Sequence, residues 1–121
     1  MGMFDNVRCL YPLPWPELQS VTWQTKDTDA QYLDHYEVRA DGTLWHEAYY
    51  ARWIDDPTGI MRFYMTRENV RWEQVPFVGQ LEIDHYAEHA NAPGGDMYSV
   101  VFWFRGGVVK DAVFVLNGVE L

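Results

Sequence analysis

The chain carries one cysteine, Cys9, in 121 residues. That excludes an intramolecular disulfide and any zinc site built from several cysteines, and it fits a reducing cytoplasm. Cys9 itself reads as a small, partly buried hydrophobe. Basic residues are also scarce: nine against eighteen acidic ones, for a formal charge of −9, and seven of the nine are arginines spaced singly along the chain. Without a basic stripe, contact with a phosphate backbone would work against the field of the whole protein, so neither DNA nor RNA is expected as a direct ligand. The acidity keeps an aromatic-rich chain soluble and favours a basic protein surface as partner, including one that ordinarily holds nucleic acid. No apolar run approaches the ~18 residues of a membrane helix, and the opening MGMFDNVRC lacks the basic-then-apolar order of an export signal. Gly2 does not complete a myristoylation motif, because the sixth position is Asn6.

Helical periodicity is missing too: no stretch of ten or more residues repeats its apolar positions at helical spacing. What the chain has in quantity is aromatic residues. Six Trp, eight Tyr and six Phe make up 17% of a sequence that is 48% hydrophobic, enough for one domain with its own core.

The segment CLYPLPWPELQ sets Pro12, Pro14 and Pro16 between Tyr11, Leu13 and Trp15. Proline fixes φ and removes a donor, so residues 1–18 are expected to form an extended strap with its aromatics packed on the domain. VTWQTK (Val21 to Lys26) reads as a strand. Asp41-Gly42 predicts a two-residue hairpin turn between strands at about 34–40 and 43–51. Ile60 to Arg67 is expected to be the next strand, whereas Glu68 to Glu73 fits a short helix or an irregular crossing. LEIDHYAEH alternates from Leu81, ANAPGGD is a loop, Gly106-Gly107 joins two long strands, and Asn117-Gly118 makes a last turn. The expected fold is mainly β: a single-domain antiparallel meander, as a curved sheet, sandwich or half-open barrel, with at most one short helix.

A two-residue turn fixes register. With Arg105 opposite Val108, Phe104 should face Val109, Trp103 should face Lys110, Phe102 should face Asp111, and Val100 should face Val113. The core face would then carry Tyr98, Val100, Phe102, Phe104, Val109, Val113 and Val115, with Asp111 among them. Trp103, Lys110 and Phe114 would lie on the other face, where Trp103 and Lys110 are placed for a cation–π contact.

Two Asp-His-Tyr pieces, LDHYEV from Leu33 and LEIDHYAEHA from Leu81, raise the question of a site. Alternation puts His85 with Leu81 and Ile83 toward the core, and His35 with Glu37 and Arg39 on the polar face, so the pieces are not copies of one site. Imidazole and carboxylate suit zinc or iron. On a strand, however, His85 and His89 stand ~13 Å apart, too far to share an ion. The nucleophile elbow, phosphate loop, dinucleotide fingerprint and H-E-x-x-H are all missing. Asp55-Asp56 beside Pro57 reads as loop chemistry. No catalytic residue, metal ligand or cofactor is therefore expected.

The surplus is aromatic. Trp45, Tyr49, Tyr50 and Trp53 crowd one predicted strand and its exit, with Trp45 and Tyr49 on one face and Tyr50 on the other. Exposed Trp, Tyr and Arg are residues from which protein interfaces draw their affinity. The expected docking residues are these four together with Asp55, Asp56 and Trp103; His85, Asp84 and His35 form the alternative site.

MFDNVRCLYPLP (Met3 to Pro14), then QTKD and D-G-T-L within Trp23 to Trp45, resembles a group of small uncharacterised proteins of bacteriophages and prophages. The resemblance implies an accessory protein in a bacterial cytoplasm and brings no catalytic residues with it. The leading expectation is a non-enzymatic protein that binds a host or phage protein through an acidic, aromatic surface, in one form inhibiting a defence nuclease complex. The alternatives are a small enzyme or ligand or metal binder with a cleft near His85, and a homo-oligomeric structural or virion-associated protein. Neither direct nucleic-acid nor membrane contact is expected.

Overall fold

The computed structural model describes residues 4–27, 34–55 and 63–121. The strands are β1 (Asp5–Cys9), β2 (Thr22–Thr25), β3 (His35–Val38), β4 (Leu44–Asp55), β5 (Phe63–Gln74), β6 (Gly79–Glu88), β7 (Gly95–Arg105), β8 (Val108–Leu116) and β9 (Val119–Glu120). They form one mixed sheet that does not close, in the order β5-β4-β3-β1-β2-β6-β7-β8-β9. Among the described residues the helical content is a single 3-10 turn, Pro16–Leu18. The mainly β expectation holds.

One pairing departs from an antiparallel meander. β1 lies between β2 and β3, antiparallel to the first and parallel to the second, with Val7 opposite both Trp23 and Tyr36. The N-terminal strap is therefore shorter than expected, because Asp5–Cys9 is a central strand whose Asp5, Val7 and Cys9 are fully buried. The extended piece follows it. Gln19 clamps this piece from within the chain: its Oε1 accepts from Leu13 N at 2.8 Å, and its Nε2 donates to Cys9 O at 3.0 Å and Tyr11 O at 3.2 Å. Pro12, Pro14 and Pro16 stay exposed while the residues between them turn inward. Trp15 meets Tyr98 at 5.0 Å and Phe114 at 6.0 Å, and Tyr11 meets Phe102 at 5.6 Å, each edge to face.

The strap thus lies on the inner face of the sheet, over a core that includes Val7, Trp23, Val38, Leu44, Leu81, Ile83, Val100 and Phe102, all buried to 0% exposure. The sheet curls enough that the β3–β4 turn touches the β7–β8 turn: Val109 N donates to Gly42 O at 2.8 Å, and Thr43 bridges Val108.

The register expected of the Gly106-Gly107 hairpin holds for two pairs, Arg105 with Val108 and Phe104 with Val109, and then shifts by one residue. Trp103 faces Asp111, Phe102 faces Ala112 and Val100 faces Phe114. The extra residue changes the phase of β8. Ala112, Phe114 and Leu116 pack on the core in place of Val113 and Val115, and Asp111 moves to the exposed side. The physical reason is the carboxylate, which in unbroken register would lie among buried apolar side chains with no donor. Trp103 consequently has no lysine over its ring among the described residues, and the expected cation–π pair is not formed.

The segment Glu68 to Glu73 continues β5 instead of forming a helix or crossing. An irregularity opposite Tyr49 inserts one extra residue in β5, where Asn69 takes a φ of 54°. Pairing of β3 with β4 ends at His46, while β4 and β5 stay paired out to Asp55 and Phe63. Among the described residues the result is a two-stranded arm that projects past the sheet.

Candidate functional site

Cross-strand register assigns the faces of the arm. Trp53 pairs with Met65 and Ala51 with Arg67 on one face; Tyr50 pairs with Glu68 and Arg52 with Thr66 on the other. Trp53 is 70% exposed, Tyr50 62% and Met65 39%. The polar residues are engaged with one another and with the rings. Arg52 bonds Glu68 at 3.1 Å, Arg71 bonds Glu73 at 2.7 Å, and the Arg71 and Arg67 guanidiniums lie over Tyr50 at 5.0 Å and Tyr49 at 4.5 Å. Residues 47 to 74 carry four arginines against five carboxylates, so nearly all of the −9 charge belongs to the remainder of the chain.

Of the expected docking residues, Tyr50, Trp53 and Asp55 are exposed on the arm. Tyr49 is half-buried at its root, and Trp45 is held under Arg39, whose guanidinium is 4.0 Å from the ring centroid. Asp56 lies outside the described residues. Trp103 is exposed on β7, separated from β4 in the strand order by β3, β1, β2 and β6.

At the arm's root a buried polar hub forms that sequence reading missed. Asp34, 6% exposed, accepts from Tyr49 Oη at 3.0 Å through Oδ1 and contacts His46 Nε2 at 3.1 Å through Oδ2. Tyr36 stacks on the His46 ring at 4.5 Å, and the Asp34 backbone N–H donates to buried Asp5 at 3.0 Å. The bond to Asp34, then burial, holds the Tyr49 phenol above its ordinary range. A carboxylate bonded to an imidazole can serve acid–base chemistry, yet the chain's one thiol is poorly placed to use it. Burial pushes Cys9 up to about 12, and its Sγ is bonded to Tyr11 O at 3.6 Å. No sequence signal links Asp34 to His46 and Tyr49, which meet only through the β3–β4 pairing.

The outer face of the sheet holds His35 and Asp84 of the alternative site, whereas His85 alternates to the face of Leu81 and Ile83. One row across it reads His35, Asn6, Gln24, Asp84 and Ser99; the next reads Trp45, Glu37, Arg8 and Thr22. His35 lines a groove of about 430 Å³ with Arg8, Glu37, Glu47, Thr22 and Trp72. Asp84 and His85 line a neighbouring depression of about 270 Å³ that shares Thr22. The structure therefore brings Asp84 and His85 together and sets His35 across β1 and β2 from them. His85 is half-buried, with Nδ1 3.3 Å from Thr22 O and its ring 5.7 Å from Trp23. His89 lies past the end of β6, 3.5 Å from Asp96. Asp84 accepts from Ser99 Oγ at 2.6 Å, and Asp27 accepts from Glu82 N at 2.7 Å. Burial and the nearby Asp84 and Asp27 charges raise the Glu82 carboxyl. Among the described residues no group of three His, Cys, Asp or Glu is placed to hold a metal ion, and no helix is long and apolar enough to cross a membrane.

No family model, curated protein or solved structure matches the chain.

Proposed function

We propose that the chain is a non-enzymatic binding protein, encoded by a phage or prophage and acting in the host cytoplasm, that docks on a basic protein surface through the β4–β5 arm. The observation that carries this reading is the exposure of Trp53 beside Met65 on a ribbon that extends past the sheet. A lone two-stranded hairpin is marginal in water, and its rings leave solvent only if a partner covers them. Trp, Tyr and Arg are the residues that anchor interfaces. The acidic body beside the arm makes the partner basic, and this charge complementarity speeds encounter as well as selecting the surface. The N-terminal resemblance to phage proteins supports a host or phage protein as that partner, and a defence nuclease complex, whose nucleic-acid groove is basic, as its specific form.

The test is affinity purification from infected cells with the native chain and with Trp53→Ala/Met65→Ser, both checked for fold by circular dichroism. The reading expects a partner on the native chain that is lost from the variant, together with relief of nuclease interference by the native chain alone. Equal recovery by both chains, or a solution mass showing that the arm pairs with a second copy, would overturn it.

A further inference from the structure

We infer that the outer-face groove binds a purine nucleoside monophosphate, with guanine as the preferred base. This site shares Glu47 and Trp72 with the root of the β4–β5 arm, but neither Trp53 nor Met65, the exposed docking residues, lines it. Three observations carry the inference.

The first is the order of chemistry across the sheet. Trp72 on β5 pairs with Glu47 on β4; His35 follows on β3, and Arg8 stands on β1. Stacking surface, carboxylate, imidazole and guanidinium thus follow one another over three strand spacings, ~14 Å between backbones. A base, a ribose and a phosphate follow one another in the same order along a nucleotide.

The second is Arg8. Its cross-strand neighbour Glu37 is bonded instead to Arg39 at 3.0 Å, and Arg8 makes no side-chain hydrogen bond or ion pair with a described residue. A guanidinium with no donor bonded to a described residue, beside His35 and Asn6, suits one phosphate. It does not make the stripe that a nucleic-acid strand would need against a charge of −9.

The third is Glu47, which likewise has no bonded partner among the described residues and lies beside the Trp72 ring. A carboxylate is an acceptor only. Against a base stacked on Trp72 it pairs with guanine, which offers N1–H and N2–H side by side. Adenine presents a lone pair at N1 and is disfavoured. At about 430 Å³ the groove is in the size range of small-ligand sites.

The experiment is calorimetric titration of the full chain with GMP, AMP and guanosine. Expected are saturable GMP binding at one site, AMP binding at least about tenfold weaker, and guanosine weaker than GMP by about tenfold for the lost charge-assisted bonds. Arg8→Ala should bring GMP down to the affinity of guanosine, Glu47→Gln should abolish the preference for GMP over AMP, and Trp72→Ala should weaken all three ligands by at least about fivefold. Absence of GMP binding at millimolar nucleotide, equal affinity for all three ligands, or GMP binding unchanged in both Arg8→Ala and Glu47→Gln would overturn the inference. The comparison of ligands on the native chain decides it even if a variant fails to fold. The Trp53→Ala/Met65→Ser chain should bind GMP normally, which separates this test from that of the arm.

Discussion

Tyr49 Oη donates to Asp34 Oδ1 at 3.0 Å, and this bond ties the root of the projecting arm to the segment that opens β3. Asp34→Ala would leave the Tyr49 hydroxyl and the His46 imidazole without their shared acceptor, at an expected cost of about 1–3 kcal/mol in chemical denaturation. Tyr49→Phe should cost less, about 1 kcal/mol. Since the carboxylate disfavours phenolate formation, spectrophotometric titration should show the Tyr49 phenol ionising above its ordinary range, and Asp34→Asn should lower it.

Cys9 should behave as a buried hydrophobe. With its thiol pushed up to about 12 by burial, the thiolate fraction at mildly alkaline pH is negligible. A thiol reagent should therefore modify the native chain only as fast as it unfolds, and should react at once in denaturant. Rapid labelling of the folded protein would refute this assignment.

Glu82 gives a pH dependence with a definite sign. Its folded-state carboxyl is raised above the ordinary value, so the folded chain holds that proton more tightly than the unfolded one. The stability this contributes is present below the ordinary carboxylate range and is lost as the pH rises through the raised value. Glu82→Gln should thus stabilise near neutral pH, by about 0.5 kcal/mol or less because the group is largely exposed, and should gain nothing in acid. Melting curves at the two pH values check both halves of the statement.

The two glycines of the β7–β8 turn should respond differently to alanine. Both have positive φ, 63° at Gly106 and 78° at Gly107. A Cβ at Gly106 meets nothing within 4 Å, whereas one at Gly107 would come within 2.8 Å of the Val75 carbonyl oxygen. Gly106→Ala should cost about 1 kcal/mol, the conformational strain alone, and Gly107→Ala distinctly more. Equal melting temperatures for the two variants would contradict this.

Local chemistry made the strands and turns legible. Gly106-Gly107 announces its hairpin, and alternation from Leu81 gives β6 its buried Leu81 and Ile83. Asp41-Gly42 marks a hairpin too, but the turn spans three residues, Ala40 to Gly42, closed by Arg39 N on Thr43 O with φ positive at Gly42 and not at Asp41, instead of the two expected. The sequence carries little local sign of where a strand changes phase or finds a distant neighbour. The one-residue shift in β8 leaves no mark except the misplaced Asp111, and that residue was the signal. The pairing of β1 with β3 joins Val7 to Tyr36, and no local pattern encodes a parallel contact across that separation. Trp72 and Glu47 meet because β5 runs unbroken through a segment whose charges and Asn69 obscure its alternation. Arg8, Glu37 and His35 come together only once β1 is inserted.

That insertion has a consequence for how the molecule can be divided. Apart from the touching turns at Thr43 and Val108, β1 supplies the backbone ladder between β5-β4-β3 on one side and β2-β6-β7-β8-β9 on the other. A chain lacking its first nine residues and a short peptide carrying them are thus a matched pair of fragments. Their reassembly would restore both ladders at once, so the strand at the start of the chain is the piece from which a split version of this protein could be built.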